Sequence, residues 1–216
     1  MAKRREERQK RREGVLQAAL DVIVERGLAH TRMSDIAKSA AMSPGHILYY
    51  FESKDDLLME LLRWTDDQLL HNALADFEQL PSYADRLRRL TELASPKGPS
   101  DPPWILWLEV WSLSPHDEHI GHGHEDLDRR WVAMLTDLVR SGQEAGEFSS
   151  DIDPEDFATR YGAMMDGLAI KVVAGINGMT TERLLEACTA MVVRELGVRA
   201  PKKRPKRAAA ASWGLP

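Results

Sequence analysis

TRMSDIAKSAAMSPGHILYYFESK, residues Thr31 to Lys54, reads as two short helices joined by a tight turn. Ile36, Ala37 and Ala40 recur at helical spacing, Thr31 is placed to cap the N-terminus, and Asp35 in the first turn suits the helix dipole. Ala40-Ala41-Met42 makes the turn. Ser43 is a good N-cap, and Pro44 fits the first helical position because its missing N–H has no intrahelical partner there. Ile47, Leu48 and Phe51 are then expected to pack on the first helix, leaving Gly45, His46, Tyr49 and Tyr50 facing outward. Ser53 opens a third helix with a Ser-x-x-Asp form of the capping box. This is the layout of a helix-turn-helix DNA reader.

The longer run IAKSAAMSPGHILYYFESKDDLL resembles the DNA-binding segment of the TetR family of one-component regulators, whose usual pattern is close to IAxxAGVSxGxLYxxFxxKxxLL. Two departures stand out. Ala41 occupies a position where Gly is usual, so a left-handed backbone there would cost about 1 kcal/mol. Leu48 replaces a frequent DNA-contacting Tyr, which shifts the weight to Tyr49 and Tyr50. The resemblance implies an all-α fold: a three-helix DNA-binding domain, then a helical domain for ligand binding and dimerisation. It also implies a homodimeric repressor whose two readers enter successive major grooves of a near-palindromic operator, about 34 to 36 Å apart. Ser43, Pro44, Gly45, His46 and Tyr49 are the candidates at the bases. Thr31, Tyr50 and Lys54 are the candidates at phosphate.

Composition and charge agree with a regulator that touches DNA at one end. The chain has 216 residues, few β-branched runs and much Leu, Ala, Glu, Asp and Arg, so a helical protein with a sizeable core is expected. Residues 1–54 hold 11 basic against 7 acidic side chains, residues 55–198 hold 12 against 27, and residues 199–216 hold 6 against none. A basic head and basic tail flank an acidic body, which repels phosphate. The single cysteine, Cys188, excludes an internal disulfide. No secretory signal or apolar stretch of about 18 residues appears, so a soluble cytoplasmic protein with no membrane partner is expected.

Four segments follow from the pattern: a basic arm (1–12), the helix-turn-helix domain (13–56), the effector-binding and dimerisation domain (57–198) and a basic tail (199–216). The arm reads either as a reach toward the minor groove or as a mobile terminus. A helix over 13–26 carries the stripe Val15, Leu16, Ala19, Leu20, Ile23 and Val24 and ends at Gly27. A long helix from Ser53 to about Leu80 joins reader to body, a further helix covers 83–94, and SPKGPSDPP (95–103) is a loop. Two apolar helices near 154–175 and 180–196 form a hairpin expected to pair with its copy in a second subunit. The tail, with Lys202, Lys203, Arg204, Lys206 and Arg207, is expected to be disordered.

Helix 104–113 places Trp104, Trp107 and Trp111 on one face. They read either as a core seam or as the wall of an effector pocket. With Glu109 or Asp166 nearby, and with Trp131 and Met165 from later helices, such a wall could hold a flat apolar molecule or a cation. The body most resembles the betaine-regulator (BetI-like) branch of the family, which includes a choline-responsive member.

PHDEHIGHGHED, residues 115–126, gathers His116, His119, His122 and His124 with four carboxylates. It reads either as a polar interhelical loop or as a metal-binding or catalytic loop, the function class that competes with DNA binding. No Gly-x-Ser-x-Gly elbow, phosphate-cradling glycine loop or HExxH helix is present, so neither an enzyme nor a cofactor is expected.

Overall fold

The computed structural model describes residues 2–198, which form nine α-helices, and the expected basic tail lies outside the described residues. The helices are α1 (Ala2–Arg26), α2 (Met33–Ser39), α3 (Pro44–Leu48), α4 (Lys54–Phe77), α5 (Tyr83–Ala94), α6 (Pro102–Leu113), α7 (Glu118–Glu144), α8 (Pro154–Val173) and α9 (Thr181–Glu195). No described helix is long and apolar enough to cross a membrane.

Three boundaries differ from the sequence expectation. The basic arm is not a separate segment but the first three turns of α1. It is anchored from the far side: Arg12 pairs with Glu60 of α4 at 2.8 Å and lies over the Phe51 ring at 5.2 Å. The histidine-rich stretch is not a loop but the start of α7, with the Asp117 side chain accepting from the N–H of Ile120. At α2 the N-cap is Arg32, whose N–H donates to Asp35, while Thr31 is buried and gives its hydroxyl proton to the Gly27 carbonyl. A 3-10 turn at Leu28–His30, unread in the sequence, moves the start of α2 by one residue.

The α2–α3 turn adopts the left-handed geometry in spite of its cost. Ala41 sits at φ 53°, in the left-handed region. The reward is a closed helix end, because the N–H of Met42 reaches the carbonyl of Ala37 at 2.8 Å. Ser43 and Ser53 cap α3 and α4 through the N–H groups of His46 and Asp56, as their positions predict.

Two apolar clusters organise the molecule. The first joins α1, α2, α3 and the first half of α4 to Leu106 and Val110 of α6 and to Ile120 and Leu127 of α7. The second is built from α5, α7, α8 and α9 around Phe157, Tyr161 and Leu184. The α8–α9 hairpin turns most of its apolar stripe into this second cluster. Phe157, Tyr161, Met165, Val172, Cys188 and Met191 are buried within the subunit. On its outer side α8 exposes the small residues Ala163 and Gly167 between the charged Arg160 and Lys171.

Head and body meet at the Leu28 turn. The Leu28 N–H donates to Glu109 of α6 at 3.0 Å, and its carbonyl accepts from Lys54 Nζ at 3.1 Å. Lys54 also reaches the Thr31 carbonyl at 3.4 Å. Glu109→Ala would leave a part-buried N–H without its partner, which costs about 1 to 2 kcal/mol. We expect a lower melting temperature in calorimetry for Glu109→Ala than for the unaltered protein.

Candidate nucleic-acid interface and internal cavity

On α3 the inward anchor is Ile47, fully buried, with Phe51 buried just beyond the helix. Ser43, Pro44, Gly45, His46 and Tyr49 are all exposed, and Tyr50 is partly so. His46 stacks on Tyr50 with ring centroids 5.6 Å apart, and Tyr49 meets Tyr50 edge-on at 5.2 Å. The Arg8 guanidinium covers the Tyr49 ring from α1 at 5.4 Å. The reader is therefore a linked aromatic surface rimmed by a basic helix.

Three expectations for this surface change. Thr31 has no exposed hydroxyl to offer phosphate, since it fastens the Gly27 turn from inside. Lys54 is anchored on two carbonyls, although an ammonium has a third proton to give. Leu48 does not pack on α2 but stands 54% exposed. A short helix of five residues has room for one buried stripe, and Ile47 fills it.

In the body, the tryptophans of α6 are core seam and cavity wall at once. Trp104 and Trp111 meet edge-on at 6.0 Å, and Trp107 lies 6.3 Å from Trp111. Together with Trp131, Met165 and Asp166 they line a cavity of about 700 Å³. Glu109 does not line it: on the opposite flank of α6 it binds Leu28 instead. Side chains missed in the sequence complete the wall. Asp66 comes from α4, Asp128 and His124 from α7, and Leu20 from α1, so the cavity floor touches the reader domain itself. The sequence signal for Asp66 was available, a carboxylate on the inner stripe of α4, but nothing local showed that α4 faces α6 there.

The polar groups of the cavity are tuned by burial. Burial, reinforced by the charge of Asp128, pushes the Asp166 carboxyl up to about 7. Burial also pushes Asp66 up to about 6, against the pull of Arg130, while Asp67 adds to the rise. Burial lowers His124 despite Asp128, and its hydrogen bonds fix the tautomer. Trp111 Nε1 is a donor only, so His124 Nε2 accepts at 2.9 Å. The proton then sits on Nδ1, 3.0 Å from Ser114 Oγ, which donates onward to the Val110 carbonyl. His124 is thus committed to holding Trp111. His116, His119 and His122 point to solvent, and no group of three or more His, Cys, Asp or Glu is arranged to hold a metal ion among the described residues. The stretch is therefore not the flexible loop on which the metal-binding reading rests.

Trp111, His124, Asp128 and Asp166 also line an open cleft between α7 and α8. Cavity and cleft therefore share this acidic aromatic group as a common wall. Tryptophan faces and the carboxyls of Asp66, Asp128 and Asp166 share the chamber wall with the cationic side chains of Arg89 and Lys97.

Comparison with known proteins agrees with both halves. Residues 15–61 match the tetR family of bacterial regulatory proteins, and residues 83–197 match the C-terminal family of BetI-type transcriptional repressors. The HTH-type transcriptional regulator BetI of Rhizobium meliloti is 28% identical over 164 residues, 74% of this chain and 77% of that protein. The BetI of Klebsiella pneumoniae is 27% identical over 199 residues, covering 86% of this chain and 93% of its own. A transcriptional regulator from Saccharomonospora viridis, solved in complex with choline, superposes with a TM-score of 0.76 at 31% identity, over 85% of this chain and 96% of its own. With an exposed reader helix, a linking helix and a BetI-type body in one chain, this protein belongs to the TetR family of transcriptional regulators, in its BetI-like branch.

Proposed function

We propose that this chain is a homodimeric repressor that binds a near-palindromic operator and is released by a small organic cation held in the tryptophan cavity. The observation that carries the proposal is the double duty of α6. One flank bears Trp104, Trp107 and Trp111 on the cavity, and another bears Glu109 on the Leu28 turn. That turn is also gripped by Lys54, the first residue of α4. A ligand that shifts α6 therefore acts on the anchor of the reader. Release requires the ligand to bind the operator-competent and operator-incompetent head spacings with different affinities. The choline bound by the Saccharomonospora viridis regulator supports a quaternary ammonium as the first ligand to try. Dimerisation rests on the family and on the outer face of α8, where Ala163 and Gly167 leave room for close helix approach.

At the operator, Ser43, Gly45, His46 and Tyr49 meet base edges, while Tyr50 and the remaining Lys54 proton meet phosphate. Tyr49→Ala should weaken operator binding about tenfold or more, and Lys54→Ala should weaken it and lower the salt slope by about one. Both variants should sediment as dimers in analytical ultracentrifugation. Wild-type operator affinity in both would defeat the assignment.

The acidic groups give the cavity a pH signature. A cation prefers ionised carboxylates, so choline affinity by isothermal titration calorimetry should rise from pH 5.5 to 8 as Asp66 (about 6) and Asp166 (about 7) lose their protons. Proton release on binding should be largest near the middle of that range. Without ligand the sign reverses: a carboxyl whose folded pKa is raised binds a proton that the unfolded chain has given up. The free protein should therefore lose stability as pH rises from about 4 through 7. Asp166→Asn should flatten both trends, and a choline affinity indifferent to pH would argue against a cationic ligand here.

A further inference from the structure

Leu48 and Tyr49 are adjacent on the reader helix, 54% and 65% exposed, and they are two of only four large apolar side chains so exposed among the described residues. A single exposed apolar side chain is ordinary, but these two adjoin on the helix proposed to enter DNA. The chemistry around Leu48 narrows that partner. One helical turn back lie Pro44 and Gly45, so the stripe formed by residues 44, 45 and 48 has no side-chain hydrogen-bonding group. A Cβ placed on Gly45 would meet nothing within 4 Å, so this stripe is flat and open to close approach. The neighbouring polar groups are partly committed: Ser43 Oγ accepts from the His46 N–H at 3.3 Å, and His46 stacks on Tyr50. Tyr49, in turn, is covered by Arg8 on one side and abutted by Tyr50 on another, which keeps it beside Leu48.

We infer that Leu48 reads the C5 methyl group of thymine in the major groove, making it a specificity-determining residue of this chain. The inference rests on the reader helix entering that groove, as proposed above. Among the base-edge features of the major groove, the thymine methyl is the one that rewards an apolar side chain; every other feature is a donor or an acceptor. A stripe without donors or acceptors discriminates thymine by filling space against that methyl. It also discriminates against cytosine, whose amino group would lose its water without gaining an acceptor. The hydroxyl forgone at this position thus becomes a thymine contact.

The experiment uses the full chain and a duplex selected by it from a random-sequence pool, with each thymine of the half-site replaced in turn by deoxyuridine, which lacks only the methyl. Fluorescence anisotropy should show one or two symmetry-related thymines whose replacement weakens wild-type binding about fourfold, the worth of one buried methyl-sized group. Leu48→Ala should bind the thymine and uracil duplexes equally at those positions while keeping its effect at others. Leu48→Gln, which keeps side-chain length on an exposed site, should shift the selected base toward adenine. The inference is overturned if the operator is bound and the wild-type scan shows no methyl-sensitive position, a result that needs no variant, or if every methyl-sensitive position stays sensitive in Leu48→Ala and Leu48→Gln. Absence of binding to every duplex at low salt is a different result and overturns the DNA-reading proposal itself.

Discussion

The clamp on Leu28 is the constraint on which the rest depends. One backbone unit is held from both ends, its N–H by Glu109 of α6 and its carbonyl by Lys54 at the start of α4. Both bonds involve a charged partner in a part-buried setting, where such bonds are about twice as strong as neutral ones. Gly27, at φ 77°, lets the chain turn sharply enough to present Leu28 to both. Besides this clamp, the reader is joined to the body by the continuous α4, by the Arg12–Glu60 pair and by apolar contacts, which hold position but carry little directional information.

That arrangement gives the cavity a mechanical outlet. Leu20 of α1, Asp66 of α4 and the α6 tryptophans all line it, so a guest touches the three helices that meet around the Leu28 turn. The apolar cluster of the reader domain already extends into α6 and α7 through Leu106, Val110, Ile120 and Leu127. Close-packed interfaces of this kind tend to switch between discrete arrangements rather than deform continuously. Gly123 of α7 is packed so tightly on Met59 of α4 that a Cβ there would fall 2.3 Å from the methionine methyl. Thus α7 packs directly on α4, which begins at the reader.

Histidine and tryptophan, the residues that draw the eye in the sequence, share one structural unit. His124 orients Trp111 through a defined tautomer and lies 5.7 Å from Trp107. Its depressed basicity keeps Nε2 available as an acceptor, whereas protonation would set two donors against each other. The aromatic wall thus retains its shape while Asp66 and Asp166 carry the titratable charge of the chamber.

Local rules in the sequence were enough for the all-helical fold and for the helix-turn-helix. Ser43 with Pro44 and Ser53 with Asp56 are capping signals whose hydrogen bonds form within four residues, and α5 begins and ends where the spacing places it. The spacing of three and four likewise put Trp104, Trp107 and Trp111 on one face. Tertiary structure decided what each face meets. Glu109 left the cavity for Leu28, 81 residues away, and Asp66 entered it from an inner stripe of α4 whose facing helix no local pattern named. Leu48 lost its burial because Ile47 already filled the one inward stripe of α3, and the basic arm became helix once Arg12 found Glu60 and Phe51. Caps and periodicity act through neighbours along the chain and can be read there. Partners dozens of residues apart are chosen by packing, and no local pattern records them.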